Sequence, residues 1–328
     1  MWLPMAENIV VYFLLKRKTI TVNMKPSILV VGSSNTDMVI KADHLPMPGE
    51  TILGGTFFMN PGGKGANQAV AAARLNGSVT FICKTGNDIF GSQSLKVFEE
   101  EGINTSFIIF DPKNPSGVAL ITVDKNAENC IVVASGANAS LLPQNLANAE
   151  PLIARSNIVL MQLEIPLETV AHVASIAVAA GVTVVLNPAP AREIPAELMR
   201  NISVLTPNKT EAEMLSGITI IDMESAAAAA RAIRDKGVGT VIVTLGSQGA
   251  LVVTDTLCQM IHAPKVQAVD TTAAGDVFNG ALAVALSENK PILDAVTFAC
   301  NAAAISVTRM GAQASAPYLN EVIKYMET

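Results

Sequence analysis

The chain has 328 residues, half of them hydrophobic, with 22 Lys and Arg against 28 Asp and Glu for a formal net charge of -6. Such a length and apolar content can fill a large core, most simply one major domain with a smaller appendage. The acidic balance, with no basic run longer than Lys16-Arg17-Lys18, excludes nucleic acid as the main partner.

Four cysteines (Cys83, Cys130, Cys258, Cys300) and three histidines (His44, His172, His262) are scattered, with no pair at metal-ligand spacing. This excludes zinc sites of the His-x-x-x-His kind, argues against a histidine base, and reads as reduced, mostly buried thiols of a cytosolic protein. His172 falls in a helical stretch and His262 at a strand end, so both read as structural.

In chain order, Asn8 to Leu15 is an apolar run followed by three basic residues. It is too short to span a membrane, and its charges lie on the wrong side for a secretory signal. Residues 1–26 are expected to be an extension outside the functional fold, with a weakly membrane-associating segment as the alternative. Ser27 to Gly32 is a continuous apolar run closed by glycine, the pattern of a strand buried on both faces of a parallel sheet. Ser33, Ser34, Asn35 and Asp37 follow at its C-terminal end, the edge where open α/β sheets bind ligands. No Gly-x-Gly-x-x-Gly leads from it into a helix, so it is not a dinucleotide fingerprint. Asn35 and Asp37, two apart on extended chain, point the same way, as a hydroxyl-binding pair or as ordinary loop residues. From Met38 to Met59, strand-like pieces broken by Pro46, Pro48, Gly49, Gly54 and Gly55 suit a small antiparallel excursion.

Pro61-Gly62-Gly63-Lys64-Gly65-Ala66-Asn67-Gln68-Ala69 then opens a helix through Ala73 and Leu75. Its glycines allow the backbone to approach a ligand closely, and Lys64 and Asn67 supply donors. It is not a Walker A loop, whose lysine is followed by Ser or Thr. A strand (80–84), a helix (91–100) and a second β-rich excursion (106–134) follow, the last with strands over 117–123 and 129–134. Two β excursions within an α/β pattern predict one small sheet lying over the main domain as a lid.

Beyond Pro143 the alternation is regular. Strand 158–162 ends at Glu164, helix 167–180 crosses back, and strand 183–186 ends at Asn187-Pro188. Val204 to Pro207 leads into Asn208-Lys209-Thr210-Glu211, which opens a helix either as a capping box or as a pair acting on metal and triphosphate. Ala226 to Ala230 belongs to an ordinary surface helix. Strand 240–244 ends in the small-residue turn Leu245-Gly246-Ser247-Gln248-Gly249. Then Ala268-Val269-Asp270-Thr271-Thr272-Ala273-Ala274-Gly275-Asp276 leads into helical spacing from Phe278 to Leu286. Small residues at a helix N-terminus expose unpartnered amides at the positive end of the dipole, an anion site. A carboxylate there repels a resting phosphate but suits a base for an attacking alcohol; the alternative is that Asp276 only caps the helix. The last helices are expected over 291–307 and 321–326.

Taken together, Gly62 to Ala69, Met161-Gln162-Leu163-Glu164, Leu186 to Ala191, Thr206-Pro207-Asn208, Thr244-Leu245-Gly246 and Ala268 to Gly280 resemble the ribokinase/PfkB carbohydrate kinase family, from about residue 27 to the end. The resemblance implies a ribokinase-like α/β fold: a doubly wound, mostly parallel sheet flanked by helices over 27–328, with a β lid from about 37–61 and 106–134 that also makes a homodimer contact. It implies ATP-dependent phosphorylation of ribose at its 5-hydroxyl in the cytoplasm, with Mg2+ required and K+ as activator. By the same resemblance, Asp276 is the base and the amides of Ala273, Ala274 and Gly275 form the anion hole. Asn35, Thr36, Asp37, Gly63, Lys64, Gly65, Ala66, Asn67 and Glu164 line the sugar. Asn208 and Glu211 act on the phosphates and magnesium, and Thr244, Leu245, Gly246, Ser247, Gln248 and Gly249 wall the nucleotide with Cys300. Asp270, Thr272, Ser306, Arg309, Gly311 and Ser315 match the loops that hold the monovalent cation, several through backbone carbonyls. Lys209, where the family often has an acid, and Cys300, where it often has Asn or His, depart from the pattern. The rivals are a 2-deoxyribose or nucleoside kinase of the same family, and a non-catalytic sugar sensor.

Overall fold

In the computed structural model, which describes residues 26–126 and 128–327, the first strand, β1 (Ser27–Val31), sits one strand in from an edge of the larger sheet. The extension expected over 1–26 falls, Pro26 apart, outside those residues. In chain order there follow β2 (Asn35–Lys41), β3 (Thr56–Gly62), α1 (Lys64–Arg74), β4 (Ser78–Ile82), β5 (Lys84–Gly86), α2 (Ile89–Glu100), β6 (Ile109–Asp111), β7 (Gly117–Val123) and β8 (Asn129–Ala134). After two 3-10 turns come α3 (Glu150–Ile153), β9 (Ile158–Met161), α4 (Leu167–Ala179), β10 (Thr183–Leu186), α5 (Ala196–Met199), β11 (Val204–Leu205), α6 (Lys209–Ser216), α7 (Met223–Arg234) and β12 (Thr240–Thr244). The chain closes with β13 (Gly249–Val253), β14 (Cys258–His262), α8 (Ala274–Ser287), α9 (Ile292–Ser306) and α10 (Leu319–Met326).

The large sheet has the order β14-β13-β12-β11-β10-β9-β1-β4. It is parallel from β12 to β4; β13 alone runs the opposite way, so the β12–β13 and β13–β14 pairings are antiparallel. Alternation along each strand splits the core in two. Ile28, Val30, Leu160, Val185 and Ile242 face a layer built by α1, α8 and α9, whereas Leu29, Val31, Val159, Met161, Val184 and Val241 face a layer built by α4 to α7. Both faces are therefore dry, which is why these strands read as unbroken apolar runs and why the fold is doubly wound, as the alternation predicts. The alanines at 226, 227, 229 and 230 are the buried stripe of α7, so that run is the means by which a peripheral helix packs closely on the sheet.

Chain direction reverses beside β1: the chain steps to β4 on one side, then returns to β9 on the other. A crevice opens beyond the C-terminal ends of strands at such a switch point. The strand expected over 80–84 is two strands, because Lys84 leaves the large sheet for a small ladder with β6, its ammonium 3.1 Å from Asp111. Ile109–Asp111, expected in the lid excursion, belongs to that ladder instead.

The remaining strands form a separate four-stranded sheet, β3-β2-β7-β8. Its register puts Asn35, Asp37, Val39 and Ala119 on one face, and Met38, Ile40, Phe57, Met59, Leu120 and Val132 on the other. Val39 and Ala119 are buried, while Ile40, Phe57, Met59, Leu120 and Val132 are exposed.

Helices α1 and α8 touch closely because of Gly280. A Cβ there would lie 2.8 Å from both the Ala71 Cβ and the Gln68 carbonyl oxygen. A mid-helix glycine costs about 1 kcal/mol relative to alanine, and the close approach it allows sets Asn67 and Gln68 of α1 against Asp276, one turn before it on α8.

Candidate active site

The first turn of α1 is built as a cradle. Its opening amides meet groups from outside the helix: Lys64 N–H donates to Glu164 Oε2 (3.0 Å), Gly65 N–H to Ser33 Oγ (3.3 Å) and Ala66 N–H to the Ser33 carbonyl (2.9 Å). Ser33 Oγ in turn donates to Glu164 Oε2 at 2.5 Å. Glu164, beyond the end of β9, thus caps a helix 100 residues earlier through one carboxylate oxygen, satisfying orphan amides at the positive end of the dipole. Gly63 has φ 89, and a Cβ there would meet the Asn35 amide nitrogen at 2.7 Å and Ser34 Cα at 2.9 Å, so only glycine lets α1 start so close to the end of β1.

Asp276 stands in the first turn of α8 and is buried. Its Oδ2 accepts from Asn67 Nδ2 (3.0 Å) and its Oδ1 from Gln68 Nε2 (2.9 Å). Asn67 Oδ1 is buried without a partner, an acceptor left over at the side of the carboxylate. Ahead of Asp276, Ala273 adopts the left-handed conformation (φ 59), a strained choice for a residue with a Cβ. It turns the backbone sharply into the helix. Of the three amides expected to hold an anion, Ala274 N–H already makes a long bond to the Thr271 carbonyl (3.3 Å). Gly275 is exposed, and a Cβ on it would meet no atom within 4 Å.

Five charged groups face one another here: Asp37, Lys64, Glu164, Glu211 and Asp276. Burial, with Glu164 and Asp276 adding and Lys64 opposing, raises Asp37 to about 6. Burial also pushes Asp276 up, against Lys64 and the Asn67 and Gln68 amides. Asp276 is the chief cause of a raised pKa at Lys64, which burial opposes. A hydrogen-bonded carboxylate held partly against its will to ionise, beside an obligate cation, is the arrangement expected of a general base.

Asn35, Asp37, Lys64, Asn67 and Glu164, expected around the sugar, lie at this corner. Thr36, between Asn35 and Asp37, has the opposite strand parity to them and is buried. Sequence reasoning missed Asn138, 103 residues from Asn35. Its Nδ2 donates to Asn35 Oδ1 (2.7 Å) and the Ser34 carbonyl (3.1 Å), and its Oδ1 accepts Ser34 N–H (2.9 Å). Asn35 Oδ1 is thereby occupied, which leaves its NH2 to donate.

On the nucleotide side, Asn208 and Glu211 form a complete capping box: Asn208 Oδ1 accepts Glu211 N–H and Glu211 Oε2 accepts Asn208 N–H, both at 2.8 Å. Burial raises the Glu211 carboxyl, against the Asn208 amide and Lys64. Thr244 is joined to this corner by its N–H to the Pro207 carbonyl (2.9 Å), and the turn after it uses Gly246 (φ 59) and Gly249 (φ 111). Cys300, expected near the nucleotide, packs in the apolar layer of α8 and α9, its thiol pushed up to about 12 by burial. The two thiols Cys130 and Cys258 are exposed, against the expectation of mostly buried cysteines. His44 pairs with Glu50 and His172 with Glu150, away from the site, in line with structural roles.

The residues expected to hold a monovalent cation come from two loops that Asp270 ties together. Its Oδ1 accepts Thr272 N–H (2.9 Å) and its Oδ2 accepts Gly311 N–H (2.8 Å). Ser306 and Ser315 hydroxyls donate to carbonyls of Ala303 and Ala312, and the Arg309 guanidinium pairs with Glu321. A shallow concavity of about 460 Å³ lined by Arg74, Glu101 and Tyr318 lies on the outer side of α1, apart from these residues.

The pfkB family carbohydrate kinase model matches residues 25–319. A ribokinase of Haemophilus influenzae is 46% identical over 304 residues, covering 93% of this chain and 99% of the relative. A deoxyribokinase of Salmonella typhimurium is 39% identical over 302 residues, covering 91% and 98%. Among solved structures, the Arabidopsis thaliana ribokinase complexed with ribose and ATP has a TM-score of 0.89 at 33% identity, covering 93% of this chain and 100% of that one.

Proposed function

The chain belongs to the pfkB family of carbohydrate kinases, and from that premise we propose that it transfers the γ-phosphoryl group of ATP to the 5-hydroxyl of D-ribose, with Asp276 as the base. The observation that carries the mechanism is the placement of Asp276: a buried carboxylate in the first turn of α8, held on both oxygens by α1 amides and directly followed in space by an open approach to Gly275. Ribose lies between the inner face of the small sheet and the cradle of α1. Asp37, the free oxygen of Glu164, the Asn35 NH2 and the unpaired Asn67 Oδ1 meet its hydroxyls. Lys64 neutralises the carboxylates around it and faces incoming phosphate. As the 5-hydroxyl oxygen bonds to Pγ, Asp276 takes its proton, an effect worth about 10²- to 10⁴-fold. The amides at 273–275 face the charge on the transferring group.

Glu211 is a buried carboxylate with a raised pKa, a group that a nearby cation would relieve, and with Asn208 it fits the Mg2+ that accompanies ATP. Glu211 and Asn208 would hold the metal, whose charge would offset that of the phosphate oxygens. Asp270 and the carbonyls of the two loops it joins are hard oxygen donors that fit K+, which would order the turn before α8. The outer face of the small sheet exposes Ile40, Phe57, Met59, Leu120 and Val132, which suits a lid that pairs with a second copy of itself. The enzyme works in the cytoplasm, in keeping with four unpaired thiols and no helix, among the described residues, long and apolar enough to cross a membrane.

The test is ADP release with ribose, 2-deoxyribose, fructose, adenosine and pseudouridine, with Mg-ATP, with and without K+. Ribose should give the highest kcat/KM, at least about tenfold above 2-deoxyribose if one hydroxyl is read by a charged group. A preference for 2-deoxyribose would move the assignment to the neighbouring activity, and no turnover with any sugar would favour a sensor.

A further inference from the structure

A line of amides runs behind Asp276 that the reading above does not use. Gln68 is fully buried, and both its donor hydrogens and its oxygen are engaged. Nε2 donates to Asp276 Oδ1 (2.9 Å) and to Asn187 Oδ1 (3.1 Å), and Oε1 accepts from Gln162 Nε2 (2.6 Å). A primary amide has two donor hydrogens and one acceptor oxygen, so these three bonds fix which way it points. Turned over, Gln68 would set its oxygen against a carboxylate and its NH2 against another NH2. Gln162 therefore keeps the donor aimed at Asp276. Its own place is fixed by Gly32, where a Cβ would come within 2.2 Å of Gln162 Oε1. That Oε1 is buried without a partner. An orphaned acceptor is a cost to the fold, so stability does not account for this pair of glutamines.

We propose that Gln68, locked by Gln162 and Asn187, is a positioning residue that assigns the two oxygens of Asp276 different tasks. Oδ1 is held by the locked Gln68 amide, and Oδ2, which also accepts from Asn67 Nδ2 (3.0 Å), receives the proton on its remaining lone pair. The hydroxyl O–H bond breaks onto Oδ2 as the oxygen bonds to Pγ, and the Pγ–O bond to ADP breaks with its electron pair leaving on ADP. This rests on Asp276 being the base. Burial raises the Asp276 carboxyl, and Lys64 and then the Asn67 and Gln68 amides draw it down. The charged groups facing it, Lys64, Glu164, Asp37 and Glu211, are common to wild type and every variant below.

The experiment measures kcat and ribose KM from pH 5 to 9 in wild type, Q68M, Q162M and Q68M/Q162M, with 13C NMR of labelled aspartate carboxyls. The double variant removes both ends of the shared bond and so leaves fewer orphaned groups. For Q68M, kcat should fall about 10- to 100-fold, as for a lost hydrogen bond to a charged group, with ribose KM nearly unchanged. The acid limb and the Asp276 carboxyl titration should both move to higher pH by on the order of one unit. Q162M should shift both in the same direction by less, although it does not touch Asp276. An acid limb that coincides with wild type in Q162M and in either Q68 variant overturns the proposal, as does failure of all three to fold, which would make the amides structural. Absence of ADP release in wild type would instead remove the underlying reading.

Discussion

Ribose affinity should weaken in mild acid because of Asp37. Burial first, then the charges of Glu164 and Asp276, lift this carboxyl to about 6 despite Lys64. A raised carboxyl is neutral below that value and charged above it, so its power to accept hydroxyl bonds is complete at neutral pH and lost as pH falls through 6. Hydrogen bonds to a charged group are worth about 1.5–3 kcal/mol, roughly 10- to 100-fold in affinity. At pH 5 about nine tenths of Asp37 is protonated, so ribose should bind roughly five- to tenfold more weakly than well above pH 6. The assay is calorimetric titration of ribose without nucleotide from pH 5 to 8, beside Asp37→Asn, which should bind weakly with a much flatter profile. For the empty protein the sign is opposite: between about 4 and 6 the folded state holds more protons than the unfolded one, so the contribution of Asp37 to stability falls as pH rises. Wild-type affinity that is level across pH 5 to 8, or a D37N profile as steep as wild type, would refute this reasoning.

Asp276→Asn should fold and bind ribose yet lose about 10²- to 10⁴-fold in turnover, read by coupled ADP release; turnover near wild type would remove Asp276 from the chemistry. Gly275→Ala should separate stability from activity. The added methyl meets nothing within 4 Å, and alanine in a helix is better than glycine by roughly 0.5–1 kcal/mol, so the melting temperature should hold or rise. Its kcat should drop, because the methyl occupies the space through which phosphate reaches the amide, and an unchanged kcat would mean that phosphate does not come there. Gly280→Val should destabilise by about 1–3 kcal/mol in urea unfolding, since its Cβ would meet Ala71 and Gln68 at 2.8 Å. It should also lower kcat more than it raises ribose KM, through the displaced Gln68.

Much of this was legible in the chain because it depends on short-range pattern. The apolar runs 27–31, 158–161 and 183–186 are strands wet on neither face, and the glycines at 62, 63 and 65 announce a close approach that their neighbours confirm. Strand parity alone could have turned Thr36 away from Asn35 and Asp37. What stayed hidden depends on distant pairings. Ile109–Asp111 is too short to show a period, and it leaves the small sheet only because Lys84 lies opposite it. Nothing around Asn138 marks it, since its partners lie 103 and 104 residues earlier. Gln68, Gln162 and Asn187 stand in recognisable stretches, but their meaning appears only when three strand and helix ends meet behind Asp276.

The strands that enter and leave the small sheet crowd together at its Asn35 end. Gly63 presses on Ser34 and Asn35, Gly117 on Asn35 and Asn138, and Gly136 on Pro115 and Ser116, so the strands passing between the two sheets share a single spine, like the leaves of a book. Asn35 and Asp37 are the first inward residues above that binding. Were the small sheet to swing as a lid, it would carry with it the groups proposed to hold the sugar, and loosening the spine by mutation would alter both together. In a chain jointed this way, closing the proposed lid and gripping the sugar would be one mechanical variable.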